Sequence, residues 1–176
     1  MKPSEYWRGN AKLQHITPPG ELFPELGLFD HLGRVCRGSV FEFGCGYGRL
    51  AKAFSPSTYL GYDINPAALK AAQALNPDHR FSHDPWHEAD TVLAHTVLLH
   101  IPDDEIQAVT DRMRAYKRVV IGEITGRSWR RPGDPPVFNR EIGDYEAMLG
   151  KGCTVTKVPY PRYSTHLSLM VFDTLA

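Results

Sequence analysis

Val40-Phe41-Glu42-Phe43-Gly44-Cys45-Gly46-Tyr47-Gly48-Arg49-Leu50 decides the fold. A short apolar run carrying one acidic residue is cut off by three alternating glycines, and helical character resumes from Arg49 to Phe54. This reads as strand, tight turn, helix. Glycines permit the sharp backbone turn and let a ligand approach main-chain N–H groups with no Cβ in the way. A second strand is expected over Tyr59-Leu60-Gly61-Tyr62-Asp63, which ends on a carboxylate 21 positions after Glu42. At that distance an acid at a strand end is placed to accept hydrogen bonds from ribose hydroxyls. Pro66 to Leu75, rich in alanine and leucine with proline at its first turn, completes a β-α-β-α unit.

Working outward, Arg80 to His83 forms a weak strand, Thr91 to Ala94 a clear one and Arg118 to Glu123 a fifth, with a helix expected from Asp103 to Tyr116. Acids at 103–105 complement the dipole of that helix. A second helix is expected from Glu141 to Leu149. Thr154 to Val158 and His166 to Phe172 stand too close together for a parallel crossover, so they form an antiparallel hairpin at one sheet edge. Ahead of the first strand, a loose proline-containing arm leads into a helix from about Glu25 to Leu32. The fold class is therefore α/β, a doubly wound Rossmann-like sheet, mostly parallel with an antiparallel C-terminal hairpin.

Length and composition set limits on this reading. A chain of 176 residues, 42% hydrophobic and 23% charged, fits one globular domain, with residues 1–33 as arm and helix and 34–176 as the α/β core. No apolar run reaches the ~20 residues of a membrane helix and the N-terminus lacks a signal-peptide core, so a cytoplasmic location without membrane contact is expected. Three cysteines without CxxC spacing point to buried thiols rather than to disulfides or a zinc site, and no metal is expected. The balanced charge, 20 basic against 20 acidic residues, argues against a nucleic-acid binder. Its distribution is uneven: residues 1–111 carry an excess of five acids and residues 112–176 an excess of five bases.

A dinucleotide fingerprint runs GxGxxG, whereas this chain has GxGxG with Arg49 at the third glycine position. Glu42, two residues ahead of Gly44, would oppose a pyrophosphate but suits the ammonium of an amino-acid moiety. The favoured ligand is thus cationic.

The runs EFGCGYGRL and YLGYDINPAAL resemble class I S-adenosylmethionine-dependent methyltransferases of the small-molecule type, over about Val40 to Phe172. The resemblance implies S-adenosylmethionine as cofactor. It places Glu42, Gly44 and Gly46 along the methionine part, with Cys45 and Gly48 of the same turn also cofactor-binding, Asp63 on the ribose and Ile64 on the adenine. Asp84 would meet the adenine amino group, with Pro85 and Trp86 lining that pocket, and His95 and Thr96 would pass near the methionine end. His100, in HTVLLHI, is the candidate base, since an imidazole titrates near neutrality; a role in shaping the pocket is its alternative.

The loop Gly126 to Pro136 follows the fifth strand at the ligand-binding edge, where Trp129, Arg130 and Arg131 suit a ring and an anionic group. A solvated loop with a packing tryptophan is the competing reading. Asp134-Pro135-Pro136-Val137 is only superficially similar to the DPPY signature of amino-methyltransferases acting on DNA, because that motif belongs after the fourth strand. Tyr6-Trp7-Arg8 suits a short lid or a hydrophobic anchor. The expected activity is methyl transfer to a small metabolite, with an anionic one favoured by the arginine loop and a homodimer or protein partner left open. A catalytically silent cofactor-binding subunit and, behind it, a nicotinamide-dependent oxidoreductase are the alternatives.

Overall fold

A computed structural model describes residues 2–10, 12, 27–133 and 135–174. Among the described residues seven strands form one sheet: β1 (Val40–Phe43), β2 (Tyr59–Tyr62), β3 (Arg80–Ser82), β4 (Thr91–His95), β5 (Arg118–Glu123), β6 (Thr154–Tyr160) and β7 (Thr165–Asp173). Their spatial order is β3-β2-β1-β4-β5-β7-β6. The first five are mutually parallel, with Val40 opposite Tyr59 on one side and Thr91 on the other. β7 runs antiparallel to both β5 and β6, so the hairpin lies at the sheet edge. Every residue of β4 and β5 is buried, as expected for parallel strands covered on both faces. One face packs Phe41, Val92, Met113, Ile121 and Tyr145, the other Leu28, Val40, Tyr59, Leu93 and Leu167.

The chain winds outward from β1 to β3 and then returns to place β4 on the other side of β1. That reversal opens a crevice at the carboxyl ends of β1 and β4, where ligands bind in open α/β sheets. The flanking helices are α1 (Pro3–Gly9), α2 (Leu28–Val35), α3 (Pro66–Leu75), α4 (Ile106–Met113) and α5 (Ile142–Leu149). No helix among the described residues is long and apolar enough to cross a membrane.

The helix expected after the glycine turn is absent: Ala51–Ala53 make a single 3₁₀ turn. Gly44, Gly46 and Gly48 all have positive φ (80°, 54° and 66°), and too few residues remain before Ser55-Pro56 to offset helix nucleation. α4 is also shorter than expected. The carbonyl of Pro102 accepts from the N–H groups of Glu105 and Ile106, and Asp103 is engaged by two arginines, which leaves 103–105 as a turn. The expected loose arm contains α1, begun by Pro3 and by Glu5, whose carboxylate accepts from the Lys2 N–H. Glu25 and Leu26 of the next helix lie outside the described residues; the described part starts at Leu28, behind Gly27 at φ 73°. The arginine loop is partly ordered by a 3₁₀ turn, Arg127–Trp129, and a bridge between Arg131 and Val137, while its Asp134 lies outside the described residues.

Candidate active site

The glycine turn folds back over β2. The N–H groups of Gly44 and Cys45 both donate to the carbonyl of Tyr62, at 2.8 Å each. A Cβ at Gly44 would lie 2.4 Å from a methyl of Val97, so only glycine lets the end of β1 approach the segment after β4 this closely. Asp63, one residue past β2, fastens the turn from the other side: Oδ2 accepts from the Gly46 N–H at 2.8 Å and Oδ1 from the Asn65 N–H at 2.9 Å. Asn65 in turn caps α3 by accepting from Ala67 and Ala68. Each carboxylate oxygen of Asp63 keeps acceptor capacity beyond these bonds. Burial raises its pKa, against the two backbone hydrogen bonds.

Glu42 lies beneath the turn, 2% exposed, and accepts a hydrogen bond from the Tyr59 hydroxyl. Burial pushes its carboxyl group up to about 7; the bond from Tyr59 and the charge of Arg49 act in the opposite direction. A buried acid held near neutrality is well placed to meet a cation.

These groups open on a cavity of about 280 Å³. Of the sequence-derived cofactor residues it gathers Glu42, Gly44, Cys45, Gly46, Asp63, Ile64, His95 and Thr96, and His100 lies on its wall. Gly48, Asp84, Pro85 and Trp86 are not among the lining residues. Gly48 faces Phe81, while Asp84 and Pro85 are exposed. Trp86 stacks on Phe43 at 5.1 Å with the Arg112 guanidinium on its ring, so it supports a cavity residue from behind.

Trp129, Arg130 and Arg131 also lie outside the lining. Trp129 meets Tyr163 edge to face, and Arg131 is exposed. Arg130 grips Asp103 with both terminal nitrogens (2.6 and 2.9 Å) and donates through Nε to the Asn139 carbonyl. The unforeseen lining residues include Tyr47, Arg49, Val97, Ile101, Glu105 and Val109. Glu105, just ahead of α4, and Val109 within it stand four apart, a helical spacing that the sequence held. Ser4 and Trp7 of α1 complete the rim, where the sequence suggested a lid.

The turn bearing His100 is clamped from below. Glu123, at the end of β5, accepts from the Leu99 N–H, and buried Arg140 donates to the carbonyls of Leu98 and Ile101. Burial pushes Glu123 up to about 8 despite those bonds and the charge of Arg140. Thr96 holds φ at 52°, a conformation that non-glycine residues adopt rarely and that recurs at functional sites. The His100 ring lies 4.6 Å from the Trp7 ring, and its Nδ1 lies 3.4 Å from the Pro136 carbonyl.

Residues 41–118 match a family model described as a methyltransferase domain. No curated protein sequence matches the chain. Among solved structures, the N-methyltransferase NodS from Bradyrhizobium japonicum WM9, in complex with S-adenosylhomocysteine, is 15% identical with a TM-score of 0.74, covering 98% of each chain. Magnesium protoporphyrin IX methyltransferase from Synechocystis PCC 6803, with bound S-adenosylmethionine, is 18% identical with a TM-score of 0.62, over 82% of this chain and 74% of that one. The 1,6-didemethyltoxoflavin-N1-methyltransferase of Burkholderia thailandensis is 19% identical with a TM-score of 0.60, over 82% and 73%. The family match spans the glycine turn and Asp63, and the fold around it is similar to that of these S-adenosylmethionine-dependent methyltransferases.

Proposed function

We propose that the protein transfers a methyl group to a small molecule bound in the outer part of the 280 Å³ cavity. The carrying observation is the convergence on that cavity of the buried Glu42, the glycine turn and the Asp63 that fastens it. The donor set fits the cofactor: Glu42 suits its ammonium group, the remaining acceptor capacity of Asp63 suits ribose hydroxyls, and apolar Ile64 suits the adenine. When bound, S-adenosylmethionine supplies a sulfonium methyl group open to in-line displacement.

The chain's own part is mainly positioning, which is worth several kcal/mol when reacting groups are held close and aligned. The clamped turn after β4 presents His100 to the cavity, where its imidazole takes up the proton that an acceptor loses. Trp7 and Ser4 cover the rim and exclude water. Within the arginine loop, Arg127 is paired with Asp144 and Arg130 with Asp103, so the exposed Arg131 is the loop's candidate to meet an anionic group of an acceptor that extends beyond the cavity. Calorimetry with S-adenosylmethionine and S-adenosylhomocysteine, followed by a screen of small-molecule acceptors with labelled methyl donor, tests the reading. Binding of NAD with no binding of either adenosyl compound would reject it.

A further inference from the structure

One buried contact at the cavity floor has no part in the transfer itself. Tyr59 is fully buried, and its hydroxyl reaches Oε2 of Glu42. Its ring is fixed by stacking on Phe54 (5.6 Å, 12°) and by edge contacts with His79 (5.6 Å) and Phe81 (6.1 Å). Gly61, opposite Glu42 in the sheet register, keeps the route open: a Cβ there would lie 2.9 Å from the Tyr59 hydroxyl and 3.0 Å from the Cys45 sulfur. A buried hydroxyl is unfavourable unless bonded. Three aromatic or imidazole neighbours and a side-chain-free position thus serve to deliver one hydroxyl to one carboxyl group.

The groups around Glu42 leave it short of positive charge. Tyr59 and Asp63 act on it from β2 and its end, Cys45 from the glycine turn, Arg49 from the position just past Gly48, and Cys36 from behind α2. From β4, His95 lines the same cavity. Burial pushes the Cys36 thiol up to about 12 and raises Cys45 as well, so both stay neutral. The charge of Arg49 acts on Glu42 against that of Asp63, a second carboxyl group.

We propose that Tyr59 is a positioning residue of the cofactor site, holding the Glu42 carboxyl group in one orientation in both its charge states, so that uptake of an ammonium-bearing ligand expels a proton from Glu42. The proposal rests on the cofactor reading of the cavity. In the ligand-free protein the proton sits on Oε1, the oxygen that Tyr59 does not hold. On binding, that O–H bond breaks, the proton passes to solvent, and the carboxylate accepts a hydrogen bond from the ammonium; no covalent bond to the ligand forms. Because Glu42 lies near 7, about half the molecules carry the proton at neutral pH.

The test is calorimetry at pH 6, 7 and 8 in phosphate and Tris, whose ionisation enthalpies differ. The ligands are S-adenosylhomocysteine, which bears the ammonium, and 5′-methylthioadenosine, which lacks the amino-acid part. The first should release close to one proton at pH 6, about half at pH 7 and little at pH 8, the second none at any pH. Tyr59→Phe removes a bond that favours the ionised form, so release should persist at pH 8 and S-adenosylhomocysteine should bind about tenfold more weakly at pH 7. Binding of methylthioadenosine should not change. Glu42→Gln should abolish release. Equal weakening of both ligands by Tyr59→Phe would make the tyrosine merely structural and overturn the proposal, as would the absence of proton release from the parent at pH 6. Should Tyr59→Phe not fold, the proton counts of the parent with the two ligands decide alone. If neither ligand binds, the cofactor reading fails first.

Discussion

Asp63 carries two loads: it fastens the glycine turn through the Gly46 N–H and is the proposed ribose acceptor. Asp63→Ala removes both, so S-adenosylhomocysteine should bind more weakly by about 1.5–3 kcal/mol, and thermal unfolding should also move to lower temperature. Asp63→Asn keeps one acceptor oxygen and should recover part of each. Unchanged affinity in a folded alanine variant would move the ribose contact elsewhere. Glu123 offers a test by pH. Its carboxyl group is raised from 4.5 to about 8 in the fold, so the folded state holds the proton more tightly than the unfolded chain. The contribution of Glu123 to stability is therefore complete below about pH 4.5 and is lost as pH rises through about 8. Glutamine at 123 does not titrate but can still accept from the Leu99 N–H. Glu123→Gln should thus gain on the parent between pH 5 and 9, by on the order of 2–4 kcal/mol at the upper end, as read by denaturant unfolding. A constant difference across that range would show that the carboxyl group is not raised.

At the scale of elements, legibility followed how directly a residue type constrains the backbone. Val119, Val120 and Ile121 announce a buried strand, and Gly44 and Gly46 announce a turn, because few other residues satisfy those conformations. Arg49 to Phe54 misled: the residues tolerate a helix, but the length available is decided by Ser55-Pro56 and by how far the glycine turn extends. Trp86 lies outside the cavity lining for a tertiary reason, since its stacking on Phe43 depends on where β1 ends relative to the segment after β3. The arginine loop was placed at the correct sheet edge, yet sequence could not show that the partner of Arg130 is Asp103, 27 residues earlier. That pairing yields a prediction. The two side chains are 30% and 55% exposed, so Arg130→Ala should destabilise by only about 0.5–1 kcal/mol, with a smaller loss in an Asp103→Ala background, where only the bond to the Asn139 carbonyl is left to remove. Arg131→Ala should leave stability within ~0.5 kcal/mol. With an acidic acceptor it should raise KM while S-adenosylhomocysteine affinity holds; an unchanged KM would remove the loop from substrate recognition.

For the whole molecule, the cavity exists only when α1, β1, β2, β4 and the start of α4 are assembled, because each contributes a wall. An unfolded chain has no such site, so any true ligand must raise the unfolding temperature by mass action. At a concentration of 100 times Kd the gain is about 2.7 kcal/mol, which for a chain of 176 residues corresponds to roughly 5–10 °C. The charges around the cavity predict which ligand does this. Its described lining carries Glu42, Asp63 and Glu105 against the guanidinium of Arg49, whereas the arginines 127, 130 and 131 of the basic C-terminal part lie outside it. That balance favours a ligand with sulfonium and ammonium groups and disfavours a diphosphate. S-adenosylmethionine should therefore raise the unfolding temperature by the full amount, and NAD at the same concentration should leave it within a degree or so. The S-adenosylmethionine shift should shrink as pH falls from 8 to 6, because protonation of Glu42 competes with the ammonium for the same carboxylate. A shift from NAD equal to that from S-adenosylmethionine would show that the carboxylates do not govern the choice of ligand.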